Sequence, residues 1–372
     1  MKKIKIYLLG FILIAGGLSC KKSFLDETPL DFLSTTNAFK TTADFNASVY
    51  NMFRLVREEF YTLNDNTTFD FQYRTDLAID AAAATPKLVG DFTPTNGNGT
   101  GHWTRLYKII AEANTVIGRV GSSGMTDVEK KIFEGKGRFF RALGYRSLAY
   151  IWGGVPLSLE ETTAPRVDFV RATKAEVLAQ CILDLEFAVA NIPSIGLSSY
   201  KDGDLSKEAA NHLLSEVYLA AGQFQKAVDA ATAVISSGNL NLMTGRFGSM
   251  VSTPPGDVYS DLFRVKNQNR SSGNREGILV IQIEANNLGG AGATNLGFAN
   301  AGGYCMERVH VPLTRDATLN GVAYFRWPAG DYSSGGRGVG FMGPSFWFQD
   351  SVWRNSGTDI RNANHNFVRK FK

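Results

Sequence analysis

One stretch near the middle of the chain, Glu134 to Leu157, constrains the fold more than any other. Bulky apolar side chains recur in it on and beside one helical stripe: Phe139, Phe140, Leu143, Leu148, Ile151 and Trp152. Gly153 and Gly154 then end the helix, and Pro156 keeps it from resuming. The stretch therefore predicts a helix at the centre of a helical core.

Three glycines interrupt this helix, at Gly135, Gly137 and Gly144. A glycine costs about 1 kcal/mol relative to alanine in a helix interior, so three of them need a structural reason. A missing side chain allows another helix to approach closely. We therefore predict that neighbouring helices pack against this one at the glycine positions.

The first 19 residues have the pattern of an export signal. Three lysines precede an apolar run of about 12 residues, which is too short to span a bilayer. The run ends in GLSC at residues 17–20, which resembles a bacterial lipobox, although the leucine stands one position nearer to the cysteine than is usual. We predict cleavage before Cys20 and lipid attachment to Cys20. The alternative is ordinary cleavage near Ser19, with Cys20 uninvolved.

The charge of the chain does not indicate a nucleic-acid partner. The formal net charge is +4, from 39 basic and 35 acidic residues, and removal of the three signal lysines lowers it to +1. An apolar content of 44% and a charged content of 20% are typical of a globular chain. Beyond Cys20, only Cys181 and Cys305 remain. Cys181 falls on an apolar helical stripe and is predicted to be buried, and nothing indicates a disulfide between the two.

Helical spacing of apolar residues predicts further helices along the chain. They are a helix from Thr42 through Val56 capped by Thr42, one from Trp103 to near Gly121, one from Thr126 or Asp127 into the central stretch, and Arg171–Asn191. Trp103 and Trp152 lie on helical stripes and are predicted to be core residues. Asn114 falls on an apolar face, and a buried asparagine needs hydrogen-bond partners, so we predict that it ties its helix to a loop.

Residues 205–242 predict a helical hairpin. Ser206 caps the first helix, Gly222-Gln223 form the turn, and Gly238 closes the second helix. The packing face of the second helix is predicted to hold Phe224, Ala227, Val228, Ala231 and Ile235. Small and large residues that alternate across a short turn are similar to a tetratricopeptide unit. The earlier pair of helices fits a second, more diverged unit.

Two regions lack helical periodicity. Residues 61–102 are rich in turn-forming residues and include Gly97–Gly101, which we predict to be a flexible loop. Residues 243–372 contain half of the 38 glycines, with one predicted strand at Ile278–Ile283. Long loops in a compact domain are usually functional, which directs the search for a site to these regions.

Catalytic and metal-binding motifs are absent from the sequence. The four histidines have no metal-ligand spacing, and neither a GxSxG nor an HExxH motif occurs. Residues 338–343 match GxGxxG by letter, but no strand precedes them and Pro344 follows them, so a dinucleotide site is not indicated. We predict no catalytic residue, no metal site and no cofactor.

Aromatic residues on the predicted loops are the remaining candidates. A sugar presents apolar C–H faces and many hydroxyl groups, so an aromatic platform beside polar side chains suits it. The candidate ligand-binding residues are Phe92, Asn98, Tyr304, Trp327 and Tyr332. The alternative for each of them is packing within an irregular region.

The ordered motifs resemble those of the SusD/RagB family of outer-membrane nutrient-uptake lipoproteins. Trp103–Asn114 is similar to the family's W-x-x-L-Y-x-x-I-x-x-x-N, and Gly135–Leu157 is similar to its G-x-x-x-F-x-R-A-x-x-Y-x-x-L…W-G-x-V-P-L. Arg171–Pro193 and the hairpin at 205–242 fit two further segments. The resemblance covers the chain well to about residue 245 and loosely beyond it, through Glu276–Ile283 and Asp359–Arg361.

The resemblance implies a mainly α fold with four tetratricopeptide-like units and a loop-rich, irregular face that binds ligand. It also implies a partner, a TonB-dependent outer-membrane transporter of the SusC type, and no catalysis. The expected organisation is a signal peptide at 1–19, a lipid-anchored tether at 20–41 and a single SusD-like domain at 42–372, helical over 42–242 and loop-rich over 243–372. Members of the family usually continue with further helices, so the C-terminal helices are expected to be missing here.

Three functions follow as hypotheses. The first is a lipid-anchored protein of the outer membrane, at the cell surface, that binds an oligosaccharide and delivers it to the transporter. The second is a tetratricopeptide-like scaffold at the outer membrane that binds other proteins. The third, an exported hydrolase, lacks a candidate acid or nucleophile.

Overall fold

The fold was determined as a computed structural model, which describes residues 38–62, 75–79, 97–284, 310, 318–323 and 342–367, with only the backbone at 62, 97–100, 319 and 323. The predicted signal peptide, Cys20 and most of the tether lie outside these residues. The helices of the described part are α1 Thr42–Arg57, α2 Gly97–Arg119, α3 Asp127–Trp152, α4 Lys174–Asn191, α5 Lys207–Ala220, α6 Phe224–Ile235 and α7 Val258–Phe263. A mainly α fold is confirmed.

The helix starts are fixed by side-chain caps. Thr41, Thr126 and Thr173 each accept a bond from the backbone N–H three residues on, and the acidic side chain at that position bonds back to the threonine N–H. Such a reciprocal pair satisfies two backbone donors that the first turn leaves open. Ser206 caps α5 as predicted. The predicted cap at Thr42 was wrong by one residue, because the extended backbone of Thr41 lets its hydroxyl reach Asp44 N.

The helix that was predicted from Arg171 begins three residues later, at Lys174. Arg171 is extended and pairs with Pro156. Its guanidinium donates to Gly154 O at 2.7 Å and to Trp152 O at 2.9 Å, at the C-terminal end of α3. A cationic side chain can donate to the unpaired carbonyl groups at the end of a helix. Arg171 therefore caps the C-terminal end of α3 and is not part of α4.

The helices form a sequential stack around one core. Each of α2 to α5 packs mainly on the helix before and after it in the chain, α6 packs on α5, and α1 packs on α2 and α3. The core contains most of the predicted stripe residues, including Phe139, Phe140, Leu148 and the free, fully buried Cys181. Trp103 and Trp152 lie at its edge, half-buried, with ring centroids 5.3 Å apart.

The glycines of α3 lie where its neighbours come closest. A Cβ atom at Gly135 would lie 3.1 Å from Ile192 Cγ1, after the end of α4. At Gly137 it would lie 3.0 Å from Ile117 Cγ1, and at Gly144 2.8 Å from Ile110 Cγ1, both on α2. Such distances are shorter than ordinary van der Waals contacts, so a side chain would require the neighbouring helices to shift, and the predicted close approach is confirmed.

A buried ionic network joins α2, α3 and α4. Arg141 on α3 donates Nε to Asp184 Oδ2 at 2.8 Å and Nη2 to Asp184 Oδ1 at 2.6 Å, and its Nη1 donates to Asn114 Oδ1 and Leu159 O. Arg141 and Asp184 are 4% and 0% exposed. Asn114 Nδ2 donates to Ser158 O at 2.8 Å, so Asn114 ties a helix to a loop as predicted. The network orders the segment that follows α3.

Three further expectations from the sequence were wrong. Gly97–Gly101 belong to the first turns of α2 and not to a loop. Ile278–Ile283 forms no strand; within the described residues, its apolar side chains pack on the helical core and no other strand pairs with it. On α6, the buried side chains are the small Ala227 and Ala230 with Val234, while Phe224, Val228 and Ile235 are exposed. Small residues allow α6 to lie close to α5, so the adjacent face of α6 that carries the larger side chains is exposed.

Two short β pairs lie outside the helical stack. In the first, β1 (Ala78–Ile79) is antiparallel to β4 (Gly343–Pro344), with Ala78 opposite Pro344. In the second, β2 (Thr318–Leu319) and β3 (Val322–Ala323) form a hairpin. Among the described residues, no helix combines the length and the apolar composition that crossing a bilayer requires.

Candidate functional site

A cavity of about 400 Å³ opens beside the pairing of β1 with β4, and we call it the β1–β4 cavity. Its volume falls within the usual range of small-ligand sites, about 300–1,000 Å³. The lining residues are Thr75, Leu77, Ala78, His310, Met342, Gly343, Pro344, Phe348 and Phe367. Four segments that are far apart in the sequence therefore meet at one concave surface.

Backbone and side-chain bonds from Ser345 hold the two main walls together. Ser345 N donates to Leu77 O at 2.8 Å, and its hydroxyl donates to Asp76 O. Gln349 Nε2 donates to Pro344 O at 2.7 Å, which fixes the turn that presents Phe348 to the cavity. Because Ser345 is buried, these bonds are protected from water and keep the walls in register.

Aromatic rings form one side of the β1–β4 cavity. Phe348 and Phe367 are half-buried, and their ring centroids are 6.0 Å apart. Trp353, which does not line the cavity, contacts both rings, with centroid distances of 5.9 Å to Phe348 and 5.8 Å to Phe367. The two contacts of Phe348 are edge-to-face and that of Trp353 with Phe367 is tilted, and such packing fixes the orientation of the rings. Phe346 and Trp347 are 77% and 49% exposed beside this cluster. The rings offer apolar faces, and Thr75 and His310 add polar atoms, so the surface can bind a molecule with both apolar and hydroxyl groups.

The C-terminal segment that carries Phe367 is anchored to α7. His365 Nε2 lies 2.8 Å from Asp257 Oδ2, and Asn366 Nδ2 donates to the same oxygen at 2.8 Å. Burial alone would raise the pKa of Asp257, but the bonds from Ser260 N, Asn366 and His365 outweigh it and hold this pKa below its ordinary value. Asp257 therefore stays ionised at neutral pH and keeps the segment in place.

A buried ionic cluster fixes the start of α2. Glu59, in the π-helical turn that continues α1, is fully buried, as is His102, and Arg105 is 9% exposed. His102 Nδ1 lies 2.7 Å from Glu59 Oε1, and Arg105 Nε donates to Glu59 Oε2 at 2.7 Å. These bonds tie the first turns of α2 to α1, which explains how a glycine-rich segment can be helical. No motif in the sequence indicated this cluster.

The predicted ligand residues fall almost entirely outside the described part of the chain. Phe92, Tyr304, Trp327 and Tyr332 lie outside it, as does Cys20, and Asn98 lies in the first turn of α2, where only the backbone is described. Phe348 and Phe367 were not predicted from the sequence as ligand residues. The aromatic run Ser345-Phe346-Trp347-Phe348 was a signal that could have indicated Phe348. Within the described residues, no group of side chains could hold a metal ion.

Comparison with known families gives a match over residues 23–219 to the model of a SusD-like family described as starch-binding and associating with the outer membrane. A SusD-like protein of Formosa agariphila is 31% identical over 246 residues, which are 64% of this chain and 47% of that protein. A SusD-like protein of Bacteroides ovatus is 27% identical over 71% of this chain and 47% of its own length. The chain thus spans about half the length of the curated relatives it matches.

Solved structures with the same fold come from Bacteroides fragilis. A SusD-like carbohydrate-binding protein aligns with a TM-score of 0.57 and 16% identity, over 82% of this chain and 52% of that one. A second SusD-like protein aligns with a TM-score of 0.50 and 19% identity, over 70% and 48%. At such identities the likeness establishes the fold alone.

Proposed function

This chain belongs to the SusD-like family, and from that premise we propose that it is a lipid-anchored protein of the outer membrane that binds an oligosaccharide and delivers it to a TonB-dependent transporter. The observation that carries the proposal is the β1–β4 cavity, in which aromatic rings and polar groups converge outside the helical stack. Sugars pair well with such a surface, because the rings cover C–H faces while polar side chains bond the hydroxyl groups.

The five residues predicted from the sequence lie outside the part of the chain whose side chains the structure describes. Phe92 and Asn98 follow β1, Tyr304 precedes His310 by six residues, and Trp327 and Tyr332 lie between β3 and Met342. We propose that they complete the ligand site together with Phe348 and Phe367.

Replacement of Phe348 by alanine is expected to weaken oligosaccharide binding about ten-fold, since loss of a stacked ring costs on the order of 1–2 kcal/mol. Isothermal titration of the purified protein against a panel of neutral glycans measures this effect. Phe263→Ala removes an exposed ring on α7 and should leave the affinity unchanged. If the folded protein binds no glycan of the panel, the proposal fails.

The lipid anchor has its own test. Cells that produce the chain and are fed labelled palmitate should yield a labelled membrane-bound protein, and Cys20→Ser should abolish both the label and the membrane fraction, because the thiol is the attachment point. Cys181→Ser, at a buried thiol, is the matched control. Equal labelling of the Cys20→Ser protein would refute the anchor.

The second candidate is a protein-interaction scaffold, and one observation favours it. Phe224, Val228 and Ile235 form an exposed apolar stripe along α6, at 64%, 56% and 76% exposure. Exposed stripes of this kind often contact other proteins. Purification from membranes separates the two functions, since a scaffold retains a soluble partner and a glycan-uptake protein retains an outer-membrane transporter.

A further inference from the structure

A second cavity, of about 470 Å³, lies between the α4–α5 connection and the short helical turn Arg270–Ser272. We call it the α4–α5 cavity. It shares no lining residue with the β1–β4 cavity. Its principal lining side chains are Ile195, Leu197, Tyr200, Lys201, Asp202 and Arg270.

The floor of this cavity is held rigidly by a buried carboxylate. Glu208 of α5 is 3% exposed and accepts bonds from Ile195 N at 2.8 Å and from the Ser194 hydroxyl. Burial alone would raise the pKa of Glu208, but these bonds outweigh it and lower this pKa. Asn239 Nδ2 also donates to Glu208 Oε1 and to Ser194 Oγ. The loop at 194–197 is therefore preorganised before any ligand arrives.

Two cations in the lining have no acidic partner in the described part of the chain. Lys201 forms no salt bridge there, and neither does Arg270, whose Nη1 donates to Asn239 O at 2.7 Å. That bond orients the guanidinium and leaves its other N–H groups for a ligand. Asp202 accepts a bond from Ser271 N at 3.3 Å. The lining therefore offers two cations and one carboxylate, with Asp204 and the buried Glu208 also within electrostatic reach of Tyr200.

Apolar surface lies beside these charges. Leu197 is 53% exposed, and the ring of Tyr200 is half-buried in the wall. Burial raises the pKa of Tyr200 to about 12, so its hydroxyl remains a proton donor at neutral pH. The cavity thus combines the ring and hydroxyl of Tyr200 with a carboxylate acceptor and two cations. This combination suits a sugar unit that carries an anionic group.

We propose that the α4–α5 cavity is a second saccharide site that binds an anionic sugar unit, with Arg270 and Lys201 bound to its carboxylate or sulfate group and Asp202 accepting bonds from its hydroxyl groups. A guanidinium binds either anion with two parallel N–H bonds, and this geometry makes Arg270 the principal contact. The inference that the ligand is a saccharide rests on the proposed function. The inference that a ligand binds in this cavity rests on the residues that line it. The ligands of the protein therefore include charged glycans.

Isothermal titration with three probes tests this proposal on the purified full chain. The probes are a galacturonate trisaccharide, its methyl ester and a sulfated galactose disaccharide. The methyl ester keeps the shape of the acid and removes its charge, so it should bind at least ten-fold more weakly. Binding by the acid identifies a carboxylate ligand, and binding by the third probe alone identifies a sulfate ligand.

Arg270→Gln is expected to weaken binding of the charged probe at least ten-fold, and Lys201→Gln several-fold. Arg166→Gln, at an exposed arginine between α3 and α4, should have no effect and controls for overall charge. Neutral glycans that bind the β1–β4 cavity should bind the Arg270→Gln variant with unchanged affinity. The proposal for each cavity can therefore be refuted without affecting the other. Binding of both acid and ester with equal affinity, no binding of either charged probe, or unchanged affinity in both Arg270→Gln and Lys201→Gln would overturn the proposal.

Discussion

Asp184→Ala is expected to lower the free energy of unfolding by roughly 3–5 kcal/mol, the usual cost of removing one partner from a buried ion pair. Asp184 is fully buried and accepts two bonds from Arg141 and one, at 3.1 Å, from Arg138. Without the carboxylate, the Arg141 guanidinium remains in the core with its charge unpaired. Urea denaturation followed by circular dichroism measures the loss.

A second substitution tests the cause of this loss. Asp184→Leu combined with Arg141→Met removes both charges, and the double variant should be more stable than Asp184→Ala. Asp168→Ala breaks only the exposed pair with Arg166 and should leave the unfolding midpoint unchanged. A change for Asp184→Ala as small as that for Asp168→Ala would mean that the network does not join α2, α3 and α4 as described.

Gly144→Leu is expected to destabilise the protein by about 3 kcal/mol, at the upper end of the cost of overpacking a core. Its Cβ atom would lie 2.8 Å from Ile110 Cγ1 and 3.4 Å from Leu106 O, so α2 and α3 would have to separate. Gly144→Ala should cost less, because the gain of about 1 kcal/mol in helix propensity offsets part of the clash. The melting temperature, measured by circular dichroism, reports both effects.

Gly121→Ala is the matched control for this series, since a Cβ atom at Gly121 would meet no atom within 4 Å. It should leave the melting temperature unchanged or raise it slightly. If Gly144→Leu melts at the same temperature as Gly121→Ala, then close helix packing does not explain the glycines of α3.

The helical part of the fold was predictable because its signals are local. Apolar spacing, caps and glycine stops gave α1, α3, α4, α5 and α6 within a few residues, and the glycines of α3 indicated close helix contacts. Errors arose where tertiary contacts decide the structure. The glycine-rich start of α2 is helical because Glu59, far away in the sequence, binds His102 and Arg105.

The choice of packing face on α6 failed for a related reason. Both faces of α6 carry apolar residues, and the sequence alone does not tell which one contacts α5. The structure buries Ala227 and Ala230, whose small side chains permit close packing, and exposes Phe224 and Ile235. Size complementarity with the neighbouring helix, and not hydrophobicity alone, decides the orientation.

The sequence indicated that a ligand-binding surface with aromatic residues exists, but it did not indicate where in the fold this surface lies. Aromatic residues on glycine-rich segments indicated a ligand surface, but the β1–β4 cavity depends on the pairing of Ala78 with Pro344, for which the sequence has no local signal. Phe348 and Phe367 reach the same cavity only because Ser345 binds the β1 segment and Asp257 anchors the C-terminal segment.

The central claim is that the β1–β4 cavity binds an oligosaccharide, and a crystal structure of the protein with the tightest-binding neutral glycan of the panel tests it most directly. We expect a sugar ring against Phe348 and Phe367, with its hydroxyl groups bonded to polar atoms of the cavity wall. A glycan bound elsewhere on the helical stack, with the β1–β4 cavity containing only water, would contradict it.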